Sequence, residues 1–375
     1  MADSGVYSYG ELNDLKTTSS PTLSKTTVID EDILVINKEI VANIIDREAE
    51  EKKIVRALDM RMMPWFCLFY FTDFLDRANI GNAALAGIQN DLNLTSTQLS
   101  TAISAFYITY ILFEVPSNII LKRTRPSVWL SSIMLLWGAS TLVMAFVTNF
   151  TGLFVCRLVL GLAQSGYVPA ILYQLSLVYK PSEISMRVAC LITMASLSGI
   201  VSGPIAYASS FLEGKRGLHG WQYLLILEAT PTVALSLVSY CCLFDDIQDV
   251  KWLTDEQKAL QYVRMQEVTA QDAEKQITWK TIVTAFTDWK LWMFSFVYIF
   301  TAVNLTSFSI FSPTIIAGFG YPVLTSQLLT APPSIVSAVF ILAGGYLADR
   351  YNRRSPIIVA GFGIMAIAYL LLLVL

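Results

Sequence analysis

The stretch Phe71–Asn82, FTDFLDRANIGN, places Asp73, Asp76 and Arg77 inside the first long apolar segment of the chain. On insertion scales a charge at the centre of a membrane span costs roughly 2.5 kcal/mol or more. A sequence keeps three of them there when they face a protein interior or a water-filled path. Asp73 and Arg77 are four residues apart and share one helix face. Asp76 lies about 60° from the centre of that face. Such a pair can exchange a proton when a solute or a conformational change alters the arginine contact. The alternative is a fixed ion pair that orients the helix. Asp73 falls about midway along the segment, and is the first candidate for a proton site, with Arg77 as its partner.

Working outward, the composition agrees. The chain has 375 residues, 54% hydrophobic and 15% charged, with a mean hydropathy of +0.55. Soluble proteins carry about 25% charged residues, so the expectation is an all-α membrane protein. Cys67, Cys156, Cys190, Cys241 and Cys242 lie in apolar stretches without metal-ligand spacing, and read as small core residues. There is one histidine, His219, and no nucleophile elbow, HExxH pattern or P-loop. The expectation is a non-enzyme with no cofactor, no metal and no nucleic-acid partner.

Nine segments have the length of about 20 residues that crosses a bilayer. They are 64–84, 99–121, 127–147, 152–178, 188–211, 221–244, 291–312, 327–347 and 356–375. Residues 1–40 are polar and rich in Ser and Thr, with no early apolar core, and so form no cleavable signal peptide. They read as a mostly disordered tail, followed by a charged helix over 46–62. Lys122, Arg123, Arg125, Lys180, Arg187, Arg350, Arg353 and Arg354 fall in loops on the side of that tail. The positive-inside rule makes this side, and the N-terminus, cytoplasmic. Sequons at Asn93 and Asn149 fall on the other side. The polar segment 245–290 contains WLTDEQKALQYVRMQE and reads as a solvated cytoplasmic helix.

The basic loops KRTRP (122–126) and DRYNRRSP (349–356) each join the second and third spans of a set. This suggests a parallel repeat about the polar segment. The expected divisions are a tail (1–62), a six-helix bundle (63–244), a linker (245–290) and three helices of a second bundle (291–375). The last span ends in IAYLLLLVL. The expectation is that the chain is truncated after about nine helices and that about 100 residues are missing.

Several longer pieces now carry a resemblance. They are FLDRANIGNAALAGIQNDLNLT (74–95), YILFEVPSNIILKRTRPSVWL (110–130), CRLVLGLAQSGYVPAILYQLSLVY (156–179), GWQYLLILEATPT (220–232), KWLTDEQ (251–257) and GYLADRYNRRSP (345–356). In that order they resemble the major facilitator superfamily, and within it the fungal allantoate permease-like anion:cation symporters. The resemblance implies a major facilitator fold of two six-helix bundles, alternating access, and proton-coupled uptake of small organic anions such as nicotinate, pantothenate, biotin, allantoate or small peptides. One departure matters: where the family usually has Glu-Ala-Gly in the fourth span, this chain has Gln164-Ser165-Gly166.

The candidate site residues follow. Asp73, Asp76, Glu114 and Glu228 are candidate proton carriers, with helix packing or gating as the alternative for Glu114, before Pro116, and Glu228, before Pro231. Arg77 and Arg157 are candidate partners of a carboxylate, because a guanidinium stays charged and grips it through two parallel hydrogen bonds. Arg157 can alternatively snorkel or pair with another helix. Gln164 lies seven residues on from Arg157, on the same face. Asn304 and Ser307 can line a cavity, or tie helices together. Gly199, Gly203 and Pro204 resemble a drug-antiporter signature, or serve close helix contact. Arg123, Asp349, Arg350 and Arg353 are candidate gating residues of the loops.

The expected function is proton-coupled uptake of a small organic anion by a monomeric, multi-pass carrier of the plasma membrane. The alternatives are a drug or metabolite antiporter, and a non-transporting sensor or inactive truncated product.

Overall fold

The computed structural model describes residues 46–273, Thr284, 286–351 and 355–374. Helix α1 spans Arg47–Leu85, followed by a single turn, α2, at Ile88–Asp91. Then come α3 (Ser96–Leu121), α4 (Pro126–Met144), α5 (Phe150–Gln164), α6 (Tyr167–Val178), α7 (Pro181–Ser210) and α8 (Gly220–Cys242). They are followed by α9 (Asp255–Ala273), α10 (Trp289–Gly318), α11 (Val323–Leu328), α12 (Ala331–Tyr351) and α13 (Ser355–Val374). No strand occurs among the described residues.

The nine expected spans are all helical. Seven segments of the described residues are long and apolar enough to cross a membrane. Helix α1 falls outside that set because of its three charges, and α13 because its apolar stretch, Pro356–Leu371, is shorter. Three boundaries differ from expectation. The charged helix and the first span are one helix of 39 residues that runs through Pro64. The fourth span breaks at Ser165–Gly166 into α5 and α6. The eighth is preceded by the short α11.

Helix starts follow local rules. Thr95 and Gln98 form a reciprocal capping box at α3, with bonds of 3.2 and 2.9 Å. Asn149 accepts from Gly152 N at 2.8 Å to cap α5. Pro126 opens α4, where a missing N–H costs nothing. Packing between spans relies on small residues, which let backbones approach where lipid gives no hydrophobic drive. Gly138 of α4 lies against Thr232 and Val233 of α8, and Ser239 donates to Ser131 at 2.6 Å. Helix α1 packs on α7, α8 and α10, and α7 also packs on α12.

The core has two apolar layers. One gathers Phe66, Phe69, Trp137, Leu160, Tyr167 and Leu260; the other gathers Ile80, Ala83, Leu153, Trp221, Leu224 and Leu225. Along α1, residues 54–69 belong to the first layer and residues 80–83 to the second. Between them on α1 lie Asp73, Asp76 and Asn79, all fully buried.

The polar segment departs from its expected solvated state. Helix α9 buries Ala259, Leu260, Val263, Gln261 and Arg264 against the first part of α1 and the α6–α7 junction. The reason is an apolar stripe at helical spacing that the surrounding charges obscure. Gln261 donates to the Val178 carbonyl at 2.7 Å. Arg264, fully buried, bonds Glu183 and lies 3.5 Å from Glu51. Glu51 also takes Lys180 and Arg47 at 3.0 Å each. Burial pushes the Glu51 carboxyl up, but the bonds from Lys180 and Arg47 outweigh it and hold the group below its ordinary value. A carboxyl lowered in the folded state contributes stability above its unfolded pKa and loses it as pH falls through the lowered value. Protection factors of the α9 amides, corrected for the intrinsic exchange rate at each pH, should therefore be high at neutral pH and fall only in acid, below the usual carboxylate range. Equal protection factors at both pH values would show that these bonds do not hold α9.

The cysteines divide. Cys156 is buried, Cys67 and Cys190 are half-buried, and Cys241 and Cys242 are exposed at the end of α8. The last two are not core residues, because the outward face of α8 ends there. The tail before residue 46, part of 245–290 and Arg353 lie outside the described residues. The backbone of Asp349 and Arg350 closes α12, and their side chains are likewise outside them.

Candidate functional site

Helix α1 carries four polar residues within two turns, and they divide into two groups. Arg77 Nη2 donates to Asp73 Oδ2 at 3.1 Å. Asp73 is fully buried, while the Arg77 side chain keeps 19% exposure. The Arg77 guanidinium lies against three rings, with its carbon 5.0 Å from the centre of Phe74, 5.6 Å from Phe106 and 5.0 Å from Tyr110. Cations over aromatic faces are attracted by the ring quadrupole. Tyr107 of α3 is in the electrostatic reach of Arg77. This pair therefore lies between α1 and α3.

Asp76 belongs to a second group. Its Oδ2 accepts from Trp137 Nε1 at 3.2 Å and from Thr232 Oγ1 at 3.0 Å. One helical turn before Thr232, Glu228 is fully buried, with Asn79 beside it. Arg157 Nη2 reaches Asn79 Oδ1 at 3.4 Å, and Arg157 is within electrostatic range of Asp76. The wall is set by an edge-on contact of Trp137 with Tyr167, centroids 4.8 Å apart. Helices α1, α4, α5 and α8 thus converge on one polar belt between two apolar layers.

The belt keeps hydrogen-bonding capacity. Asp73 Oδ1, Asp76 Oδ1, Asn79 Nδ2, Arg157 Nε and both oxygens of Glu228 have no hydrogen-bond partner of good geometry among the described residues. The same holds for both amide atoms of the buried Gln164 and for the Tyr167 hydroxyl. Buried polar groups in native proteins are normally paired. Unpaired groups concentrated at one level can take up a proton or a polar solute there. With every group ionised, Asp73, Asp76 and Glu228 set three negative charges against Arg77 and Arg157.

The remaining candidates lie elsewhere. Arg157 is only 2% exposed, so it pairs inside the bundle and does not snorkel. Glu114 is half-buried on α3, in electrostatic reach of Tyr110. Asn304 takes the Tyr369 hydroxyl at 2.6 Å and donates to its own helix at Phe300 O, 2.8 Å away, as an interhelical tie. Ser307 is exposed. Arg123 is exposed at the α3–α4 turn and joins no salt bridge among the described residues. The ion pairs found at that end are instead Arg187–Asp59, bidentate at 2.7 Å, and those around Glu51. Sequence reading missed Asn79, Trp137 and Thr232. Only the shared spacing of Asn79 with Asp76, three residues apart, hinted at the first.

Contacts between the first six spans and the later ones use glycines. A Cβ on Gly81 would lie well inside van der Waals contact with the Ile310 carbonyl oxygen of α10. A Cβ on Gly203 of α7 would clash in the same way with the Gln327 carbonyl, and one on Gly199 would lie 2.6 Å from Ser334 Oγ. Ser196 and Ser337 approach at 3.3 Å. The glycines of the fifth span therefore serve close helix contact.

Known proteins resemble this chain in sequence and fold. An uncharacterized transporter of Schizosaccharomyces pombe, C1002.16c, is 33% identical over 92% of this chain and 71% of its own length. The transporter prlL of a fungal species (strain NRRL 50135) is 35% identical over 79% of this chain and 61% of its own. A transporter of Agrobacterium vitis, whose name offers tartrate as its candidate cargo, is 31% identical over 81% of this chain and 67% of its own. The fold matches a bacterial homolog of the human lysosomal transporter Spinster, in an inward-facing and occupied conformation. The TM-score is 0.58 and the identity 17%, over 78% of this chain and 62% of that one. This chain thus spans less than two thirds of prlL and of the solved chain. The relatives are transporters and not enzymes, and the polar belt lies inside spanning helices. The family model of the Major Facilitator Superfamily matches residues 66–375, and the chain belongs to that superfamily of multi-pass membrane transporters.

Proposed function

We propose that the protein carries a small organic anion across the membrane together with a proton, by alternating access of two helix bundles. The observation that carries this reading is the polar belt between apolar layers, with three buried carboxylates, the buried Arg157 and the partly exposed Arg77. An unbalanced ion in such a place is costly. One proton held among Asp73, Asp76 and Glu228 balances the belt. Arg77, partly open and cupped by three rings, is the anion's partner; the rings suit a planar or aromatic carboxylate. Gln164, where the allantoate permease-like group usually has glutamate, offers neutral hydrogen bonds only. That leaves the proton to the α1 and α8 carboxylates. The tartrate named for one relative supports a carboxylate cargo. The loop cations support a cytoplasmic N-terminus, and the resemblance supports the plasma membrane. Domain divisions at 62, 244 and 290 and salt-bridge gating by Arg123, Asp349, Arg350 and Arg353 belong to the same proposal.

The test is uptake by proteoliposomes holding the full-length carrier. Tartrate, nicotinate, pantothenate and allantoate are offered with and without an inward proton gradient. At least one should accumulate only with the gradient, and collapse with a protonophore. Accumulation of none of them, or gradient-independent uptake, counts against the proposal. Proton-driven exit of the same solutes would favour antiport instead.

Arg77→Lys separates charge from shape. Lysine keeps the pairing to Asp73 but loses the planar fork that grips a carboxylate. The expected result is a KM at least tenfold higher with kcat within a few-fold. An unchanged KM would remove Arg77 from the anion site.

A further inference from the structure

The end of α8 and the start of the polar segment fold back across α1 and α4, and border an open cavity of about 760 Å³. Its walls include Arg61, Arg125 and Lys251, with Trp65, Trp252 and Tyr240. The three cations are exposed, and no salt bridge of the described residues includes any of them. Two acids also line it. Asp245 is engaged by Ser127, whose N and Oγ donate to it at 2.7 and 2.8 Å. Asp249 is exposed. The cavity therefore keeps a positive excess.

Its aromatic walls are fixed in place. Arg61 stands over the Trp252 ring, 5.1 Å from its centre, and Phe244 meets that ring edge-on at 6.3 Å. Tyr240 is tied to Ser132 of α4 at 2.8 Å. Beyond the mouth the outer faces of α4 and α8 continue as exposed apolar residues: Val128, Leu136, Leu237 and Val238. In a membrane protein such faces meet acyl chains. Arg125 and Lys251 stand where those spans end, at headgroup level, and Trp and Tyr favour that level because one end of each ring is apolar and the other polar.

From this juxtaposition we propose that the cavity holds the phosphate headgroup of an anionic glycerophospholipid, whose chains run along the α4–α8 face. Basic pockets between spanning helices bind such headgroups through the charge of each Lys or Arg near the surface. The site is separate from the polar belt and does not depend on the transported solute. Since the lipid would bridge the end of α8, α1 and the polar segment, it also stabilises the fold-back of that segment.

The experiment uses the purified full-length protein in a zwitterionic detergent. It is titrated with dioctanoyl phosphatidylinositol, dioctanoyl phosphatidylcholine and sodium phosphate, with binding read by native mass spectrometry and tryptophan fluorescence. Phosphatidylinositol should bind saturably, and phosphatidylcholine at least tenfold more weakly. The double variant Arg125→Gln, Lys251→Gln should lose at least tenfold in affinity for phosphatidylinositol. A control variant, Arg56→Gln with Lys122→Gln, removes two exposed cations outside the cavity and should stay within twofold. If the cavity double variant fails to fold, the single change Lys251→Gln, on an exposed residue of the polar segment, should still cost several-fold. Unchanged affinity in that variant overturns the proposal, as does equal binding of phosphatidylcholine. Sodium phosphate binding as tightly as the lipid would mark a soluble-anion site, and would overturn it too.

Discussion

Asp76→Asn should reduce proton-driven accumulation by at least a hundredfold while leaving solute exchange and folding nearly intact. The side chains have the same shape, and an asparagine oxygen can keep both bonds that Asp76 Oδ2 accepts, from Trp137 and Thr232. Its amide replaces Oδ1, which has no partner to lose. What changes is the charge count. Two carboxylates, Asp73 and Glu228, then face Arg77 and Arg157, and the belt is balanced without a proton. A carrier balanced in this way has no reason to take one up. Asp73→Asn should behave differently, because it strips Arg77 of its counter-charge. Removing one partner of a fully buried ion pair costs about 3–5 kcal/mol, and the partial exposure of Arg77 reduces that toward the lower end. Lower folded yield should therefore accompany any loss of coupling in Asp73→Asn. Concentrative uptake undiminished in Asp76→Asn would take Asp76 out of the proton path and leave Glu228 or Asp73 to carry it.

Gly81→Ala and Gly203→Ala should each abolish most transport, by a hundredfold or more, without preventing insertion. In each case the added Cβ meets a backbone carbonyl of another helix, Ile310 for Gly81 and Gln327 for Gly203. Backbone cannot rotate aside as a flexible side chain can, so the helices must separate. Both contacts join the first six spans to the later ones, so the cost falls on this one arrangement of the two sets. A carrier that must revisit it in every cycle stalls. Gly161→Ala provides the contrast. Its Cβ would clash with the Phe106 carbonyl inside the first bundle, and it should lower thermal stability instead. The measurements are initial uptake rates and the melting midpoint of each purified variant. Normal rates in Gly81→Ala and Gly203→Ala would show that the later helices can shift without penalty.

The helices and their membrane character were legible because they depend on local quantities. Apolar length, capping residues and charge frequency are properties of short windows, and every expected span is helical. The burial of the run from Asp73 to Arg77 was legible for the same reason, since a charge in an apolar window is costly wherever the helix finally packs. Boundaries were less legible. Pro64 does not end α1, and the fourth span breaks at Ser165–Gly166, where Gly166 packs tightly against Ser117 of α3. That contact is tertiary and leaves no periodic signal.

Which charges are neighbours was not legible at all. A helical wheel puts Asp73 and Arg77 on one face, but it does not say that Asp76 turns toward Trp137, Thr232 and Arg157 while Arg77 turns toward Phe106 and Tyr110 of α3. That depends on the rotation and axial offset of four helices, and these are set by small-residue contacts such as Gly138 against Thr232. Helix α9 shows the same limit. Its charges on several faces hide the stripe of Ala259, Leu260 and Val263, and only the docked geometry shows Arg264 buried between Glu183 and Glu51. The sequence by itself determined that this chain is a bundle of membrane-length helices with a costly charged turn in the first of them. The tertiary structure alone decided that the turn splits, with Arg77 and Asp73 against the rings of α3 and Asp76 among α4, α5 and α8. The physical reason is that burial cost is a property of one segment, whereas pairing is a property of how segments are packed.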